Sequence, residues 1–346
     1  MPSHSITSHR FLDALTTLQG RTLDVICLGR AGVDLYAVQK NTPLEAVTQF
    51  NKSVGGSPAN IATAVARLGG KSGVISVVAN DGLGRSVMQF LQRNGVDIRG
   101  IQTSQNRALT SLALTEIQPD NCQVVIYRQN AADLQLCAAD INAEYIASSK
   151  VLLLTGTALS AEPSRSASFK ALASARAAGT LVVLDLDYRP YGWQSEEDAA
   201  SVFAQASGLC DMLIGNAEEF AILLKALPAG SQPSDLLSQT LQTVIVKNGA
   251  QGCQVFTQDG QNYKQGIFRV TAQKPMGSGD AFAGAVLWAL CQGRTWPVAL
   301  ACGAAAAAIN VSQDTCADAM PSLAELQLFM AQHELMPHTA QDTAAS

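Results

Sequence analysis

Gly277-Ser278-Gly279-Asp280 sets two glycines, a small hydroxyl residue and a carboxylate directly ahead of the apolar run 281–291. Glycines in a turn let successive backbone N–H groups converge on one point. A helix that starts there adds its unpaired amides and the positive end of its dipole, so the turn can hold an anion. Asp280 falls in the first helical turn, where a carboxylate can take the proton of a hydroxyl attacking a bound phosphate. The chemistry suggested is phosphoryl transfer. A first-turn aspartate also suits the helix dipole with no catalytic duty, so the motif needs company. Gly277-Ser278-Gly279 begins a G-x-G-x-x-G pattern too, but Phe282 stands at the third glycine, and the segment lies far from the first strand-turn-helix unit where a dinucleotide fingerprint belongs.

The composition closes off other chemistries. Histidine occurs only at positions 4, 9, 333 and 338, which leaves a Ser-His-Asp, Cys-His or histidine-zinc site only the chain ends to draw on. Proton transfer falls to carboxylates, lysine or tyrosine. A net charge of −5 gives no basis for nucleic acid or an anionic membrane as partner. No stretch reaches ~18 uninterrupted apolar residues, and residues 1–18 lack an apolar signal core. The cysteines at 27, 122, 137, 210, 253, 291, 302 and 316 form no C-x-x-C pair, and several sit in apolar runs. That is the pattern of reduced, buried thiols, and a cytoplasmic protein is expected.

These residues must be positioned by a scaffold, and 346 residues with 47% hydrophobic and only 15% charged side chains can bury a large core. Residues 23–29 read as a buried strand closed by glycine. Residues 33–38 and 46–51 read as half-exposed strands leading into Gly55-Gly56-Ser57-Pro58. There Ser57 is the expected cap and Pro58 the first helical position, with the helix stopped at Gly69-Gly70. Short apolar runs at 74–78, 151–154, 181–184, 212–214 and 244–246 alternate with helical stretches, and another strand-like run ends near Val270. This rhythm predicts an α/β fold with a mostly parallel sheet covered by helices on both faces. The early strands and a hairpin of 110–116 with 123–127 across Pro119-Asp120-Asn121 break the rhythm. Residues about 33–54 and 109–128 are therefore assigned to a small β-sheet lid. Residues 1–20 and 336–346 read as flexible tails around one domain at 21–335.

In an open α/β sheet, ligands bind beyond the C-terminal strand ends. The polar residues there are Asp34; Gly55, Gly56 and Asn60; Arg128, Gln129 and Asn130; Asp187 and Arg189; Asn216 and Glu219; Lys247 and Gly249; and Asp280. Each alone is an ordinary cap or turn residue; their shared placement is the signal. Asn216-x-x-Glu219 is either a capping box or, through water, a shell for Mg²⁺. Lys247 reaches a nucleotide phosphate or is simply solvated. Gly70-Lys71-Ser72 fails as a phosphate-binding P-loop because the first glycine is missing and the segment follows a helix.

Together, residues 29–34, Gly55-Gly56-Ser57-Pro58-Ala59-Asn60, Asn216-x-x-Glu219, Lys247-x-Gly249 and Gly277-Ser278-Gly279-Asp280-Ala281-Phe282 make the chain resemble the ribokinase-type (PfkB) carbohydrate kinases from Asp24 to about Gln332. The resemblance implies a three-layer ribokinase-like sandwich, ATP and Mg²⁺ as cofactors, and possible homodimers through the lid. It implies that Asp34, Gly55, Gly56 and Asn60 bind the sugar, and that Asn216 and Glu219 position Mg²⁺ and phosphate. Lys247, Gly249 and Asn310 would attend the nucleotide, with adenine against residues 304–310. Asp280 would be the base, and the amides of Gly277, Ser278 and Gly279 the anion hole. Arg128 and Arg189 are suited to gripping a carboxylate, with Gln129 tuning choice. Residues 127–133, 185–193 and 274–276 resemble members of the family that act on a keto-deoxy sugar acid. The resemblance implies such a substrate, first of all 5-dehydro-2-deoxygluconate phosphorylated at its terminal hydroxyl, and the two arginines agree with it. The rivals are 2-keto-3-deoxygluconate, a fructokinase-like specificity, and a sugar-binding regulator without turnover. Lys274 stands where many members of the family carry an aspartate linked to a monovalent-cation site, so no potassium requirement is implied.

Overall fold

Alternation along the buried strands divides their side chains between two cores. In this computed structural model, which describes residues 10–119 and 122–338, the strands are β1 (Leu23–Leu28), β2 (Gly32–Ala37), β3 (Phe50–Gly55), β4 (Ser72–Val78), β5 (Asp97–Thr103), β6 (Leu112–Thr115), β7 (Val124–Tyr127), β8 (Ser149–Thr155), β9 (Leu181–Asp185), β10 (Met212–Asn216), β11 (Thr243–Lys247), β12 (Cys253–Thr257) and β13 (Asn262–Gln265). Nine of them form one sheet, in the order β13-β12-β11-β10-β9-β8-β1-β4-β5. Its pairings from β11 to β5 are parallel, whereas β12 and β13 are antiparallel.

Within β8, Val151 and Leu153 join one core while Leu152 and Leu154 join the other; β1 and β9 divide the same way. Helices Ser57–Arg67, Gly82–Arg93, Ser278–Cys291 and Trp296–Val311 cover the first face, and Ser164–Ala177, Glu196–Ser207 and Ala217–Leu224 the second. The result is the three-layer α/β sandwich expected from the strand-helix rhythm. The remaining four strands form the smaller sheet β3-β2-β6-β7. β2 leaves the end of β1 through Gly29-Arg30-Ala31, and β3 runs into helix Ser57–Arg67, so the small sheet is anchored at the strand ends.

Several local expectations need correction. Residues 46–51 are not one strand: a 3-10 turn at Leu44–Ala46 precedes β3, which begins at Phe50. Residues 266–277 carry only the isolated bridge between Phe268 and Leu335, so no strand ends at Val270. The strands β5, β12 and β13 had no counterpart in the sequence reading. The supposed tail up to residue 20 contains helix Arg10–Thr17, which buries Phe11 and Leu15 to 2% exposure and sets Phe11 6.5 Å from the Trp296 ring. At the other end, Met336 still donates to the Ile267 carbonyl. Residues 1–9, 339–346 and the Asp120-Asn121 turn lie outside the described residues. All eight cysteines are free, and among the described residues no helix is long and apolar enough to cross a membrane.

Because Phe11 is buried against Trp296, Phe11→Ala should cost ~3 kcal/mol or more in a urea unfolding experiment, the usual scale for deleting a core aromatic ring. A loss no larger than that of a surface substitution would show that the N-terminal helix is not part of the cooperative core.

Candidate active site

Helix Ser278–Cys291 begins at Gly277, whose φ of 85° is left-handed. A Cβ there would lie 2.5 Å from Cys316 Sγ and 2.7 Å from Asn310 Oδ1, so both conformation and space require glycine. Asp280, in the first turn, is half-buried. Its Oδ1 accepts from Ser57 Oγ at 2.6 Å and its Oδ2 from Asn60 Nδ2 at 2.7 Å. Ser57 was expected to cap its own helix; instead Gly56 is the N-cap residue and the serine hydroxyl serves Asp280. Burial raises the Asp280 carboxyl above the ordinary range and the Asp187 charge adds to this, while Ser57, Asn60 and Lys247 oppose it. A carboxylate raised in this way is a stronger base than an ordinary one, and its two hydrogen bonds hold it in place for proton abstraction.

Beside the turn, Lys247 at the end of β11 places Nζ 3.3 and 3.4 Å from the two oxygens of Asp185, the last residue of β9. A Cβ on Gly279 would be 3.4 Å from the same ammonium. Asp185 is raised to about 7: burial is the largest cause, Lys247 opposes it, and the Glu219, Asp187 and Asp280 charges add to it. Three carboxylates, Asp185, Glu219 and Asp280, thus act on one lysine. Asn216 and Glu219 form a reciprocal capping box: Asn216 N–H donates to Glu219 Oε2 and Glu219 N–H to Asn216 Oδ1, both at 2.8 Å. The structural reading of that pair is therefore realised, and it also fixes the Glu219 carboxylate at the acidic cluster. Among the described residues no three His, Cys, Asp or Glu side chains converge as direct metal ligands. The donor set fits a hydrated Mg²⁺ shared with phosphate oxygens rather than an all-protein cage.

On the lid side, Asp34 of β2 is buried, accepting from Arg30 Nη2 at 2.9 Å and from Tyr36 Oη at 3.2 Å. A Cβ on Gly55 would fall 2.0 Å from Asp34 Cγ, and one on Gly56 2.3 Å from the Arg30 carbonyl. The glycine pair therefore makes room for the Asp34 carboxylate and the chain beside it. Asn60 keeps a buried Oδ1 with no partner, a free acceptor beside the Asp280 carboxylate.

The two arginines expected to meet a substrate carboxylate are both paired within the chain. Arg128 is buried, with Nε 2.8 Å from Asp133 Oδ2 and Nη1 3.0 Å from the Thr157 carbonyl. Its Nη2 lies 2.6 Å from Asp133 Oδ2 but has no hydrogen-bond partner, so the guanidinium is anchored within the chain and keeps one donor unused. Arg189 places Nε and Nη2 each 3.0 Å from the single oxygen Asp187 Oδ1, but its side chain is 51% exposed. Gln129 is exposed. Burial raises the Tyr191 phenol while Arg189, Arg30 and Arg128 pull it down, which places the three guanidiniums in one neighbourhood.

A cavity of about 480 Å³ opens on the other side of the turn, lined by Lys247, Gly249, Ser278, Gly279, Ala304 and Ala308 among others. It runs along the helix expected to meet adenine. Asn310 does not line it: its side chain is fully buried, donating to the Cys316 carbonyl at 2.9 Å and accepting from Lys274 Nζ at 3.3 Å. Asn216 is likewise absent from the cavity wall.

The sequence profile of the pfkB family of carbohydrate kinases matches residues 22–323. The chain belongs to that family. Among pfkB relatives, a 5-dehydro-2-deoxygluconokinase of Photobacterium profundum is 47% identical over 88% of this chain and 93% of its own. One of Geobacillus kaustophilus is 41% identical over 91% and 96%. In three dimensions, a fructokinase of Xylella fastidiosa with bound ATP has a TM-score of 0.80 at 26% identity, covering 89% of this chain and 98% of its own. A putative ribokinase II of E. coli in complex with ATP and Mg²⁺ has 0.81 at 25%, covering 90% and 100%. This chain is a pfkB-family kinase with a ribokinase-like fold.

Sequence reasoning passed over Arg30, Asp185 and the hydroxyl of Ser57. Arg30 and Asp185 sit at strand ends and were open to the same rule that found the others. The duty of Ser57 depends on Asp280, 223 residues away in the chain, and no local signal marks it. In this pfkB kinase, Gly55→Ala should raise the KM for the sugar acceptor ~10-fold or more, because displacing a buried hydrogen-bonded carboxylate costs on the order of 1–3 kcal/mol. The KM for nucleotide should hold. Steady-state kinetics with each substrate varied separately decides this; equal changes in both constants would remove Asp34 from the acceptor side.

Proposed function

We propose that this kinase transfers the γ-phosphoryl group of ATP to the terminal hydroxyl, O6, of 5-dehydro-2-deoxy-D-gluconate. The observation that carries the reaction type is the Asp280 carboxylate, seated between Ser57 and Asn60 on the lid side and the glycine turn that faces the cavity. A hydroxyl held beside Asp34 and Asn60 would give its proton to Asp280. The N–H groups of Gly277, Ser278 and Gly279 would meet the charge on the transferred phosphoryl, and Lys247 would face the polyphosphate. Mg²⁺, when bound, would neutralise phosphate charge, with Glu219 and Asp185 holding its water shell. The choice of acceptor rests on relatives at 40–47% identity named for this substrate. The half-exposed Arg189 is the more open guanidinium for the acceptor's carboxylate, and the unpartnered Nη2 of Arg128 would be the second. ATP with Mg²⁺ is supported by the ligands of the structural relatives. The free, mostly buried cysteines support the cytoplasm as the compartment of this kinase. The lid sheet leaves Tyr127 64% exposed, which supports pairing of two copies through the lid.

ADP release over a panel of 5-dehydro-2-deoxygluconate, 2-keto-3-deoxygluconate, fructose and a nucleoside should give the highest kcat/KM for the first. Preference for a neutral sugar would sink the acidic-acceptor assignment, and preference for the second acid would move the assignment to that compound. Asp280→Asn should lower kcat ~10²-fold or more, the scale of a positioned general base. The base acts deprotonated, so wild-type kcat/KM should fall as pH drops through the raised Asp280 value, at a pH above the ordinary carboxylate range. A wild-type profile flat down to pH ~4, or near-normal turnover by the variant, would remove Asp280 from this role.

A further inference from the structure

Lys274 is fully buried at 0% exposure, and no carboxylate of the described residues lies within ion-pair distance of it. Its Nζ instead contacts three oxygens: the Met276 carbonyl at 2.7 Å, the Asn310 carbonyl at 3.4 Å and Asn310 Oδ1 at 3.3 Å. An isolated buried ammonium is costly unless its surroundings replace water. Here they do so with dipoles. Asn310 lies in the last turn of helix Trp296–Val311, whose carbonyl end carries negative charge and favours a cation. The same Asn310 Oδ1 lies against Gly277, since a Cβ on that glycine would come within 2.7 Å of it. Ser278 Oγ donates to the Pro275 carbonyl at 3.1 Å, and Gln273 N–H to the Val311 carbonyl at 2.9 Å. The loop 273–278 is thereby fastened to the helix end on which the ammonium rests.

The contact with Met276 has a directional consequence. In a trans peptide the C=O and the following N–H point in opposite directions. Holding the Met276 carbonyl on Lys274 therefore holds the N–H of Gly277 pointing away from it. A cation on the carbonyl also polarises the peptide and strengthens that N–H as a donor. We propose that Lys274 is a positioning residue: a built-in monovalent cation behind the glycine turn that orients its N–H groups for the transferred phosphoryl and makes turnover indifferent to potassium or sodium. This rests on phosphoryl transfer occurring at the turn, so Asp280→Asn is assayed alongside.

The test measures kcat and both KM values for the wild type, Lys274→Ala and Lys274→Met in tetramethylammonium buffer, then with added potassium or ethylammonium. The wild type should turn over equally in all three. Lys274→Ala should lose on the order of 10²-fold in kcat, the scale of one oxyanion donor, with the acceptor KM unchanged. Potassium or ethylammonium should restore part of the loss, a rescue that a purely structural lysine would not show. A wild type that requires potassium, or a folded Lys274→Met with normal kcat, would overturn the proposal. If the alanine variant does not fold, the methionine variant carries the test; if neither folds, the cation titration of the wild type decides. Activity retained in Asp280→Asn would end both the site assignment and this inference, whereas activity lost there but kept in Lys274→Met would end only the role of the lysine.

Discussion

The site depends on how closely two helices approach each other. A Cβ on Gly284 of helix Ser278–Cys291 would lie 2.6 Å from Ala64 Cβ and 3.1 Å from the Ile61 carbonyl of helix Ser57–Arg67, so the pair meets almost backbone to backbone. The other flank is as tight: a Cβ on Gly303 of helix Trp296–Val311 would be 2.6 Å from Val286 and 2.8 Å from Phe282. The helix bearing Asp280 is held between two neighbours by small residues, and well-packed interiors shift little. Only this spacing lets Ser57 and Asn60, which follow the lid strand β3, reach the carboxylate of a helix from the far end of the chain. Lid and phosphoryl turn are thus coupled through one pair of short hydrogen bonds.

The same geometry gathers charge at a cost to stability. Asp185, Asp187, Glu219 and Asp280 share a neighbourhood with Lys247 and Arg189, and both Asp185 and Asp280 have raised pKa values whose first cause is burial. For a carboxyl whose folded value exceeds its unfolded one, the folded state binds more protons in the interval between them. Stability therefore falls as pH rises through that interval, here from the ordinary carboxylate range to about 7 for Asp185. The two apolar cores, one on each face of the sheet, supply the stability that offsets this cost. An acid-rich site also rejects polyphosphate unless a divalent cation accompanies it, so the electrostatics that weaken the fold suit it to a nucleotide bound with Mg²⁺.

How much of this was legible from the residues depends on how local each cause is. The parallel core was legible because strands buried on both faces read as short apolar runs, and the turn at Asp280 because two glycines before a helix carry a local mechanism. β12 and β13 were not: Cys253–Thr257 buries alternate residues only, and Asn262–Gln265 is largely polar, so neither matched the pattern sought. Lys274 was marked only as a departure from the family pattern, and its complete burial is a tertiary fact that its loop neighbours Gln273 and Pro275 do not signal. Asn310 was assigned to the nucleotide by position along its helix, but the helix turns that side chain toward Lys274 and Cys316. The pairings Arg128 with Asp133 and Arg189 with Asp187 are close in sequence, yet whether a guanidinium faces its neighbour or a ligand is set by the surrounding fold.

Those pairings change how recognition of an acidic acceptor must work. Arg128 and Asp133 are both buried, and opening that pair would strand two charges, a penalty of ~3–5 kcal/mol. The closed pair still leaves Arg128 Nη2 and Asp133 Oδ1 without hydrogen-bond partners. Arg189 differs: it is half exposed, both its contacts go to one oxygen of Asp187, and Asp187 also accepts from Thr157 Oγ1 at 3.2 Å. A substrate carboxylate can therefore share this guanidinium without leaving Asp187 unsatisfied. A neutral sugar would leave the pair as it stands, gaining nothing from it. Under the proposed reaction, discrimination would come from the difference between a shared and an unshared guanidinium, a smaller difference than a vacant positive pocket would provide. The rest would come from the fit of the sugar chain against Asp34, Asn60 and the Gly55-Gly56 pair.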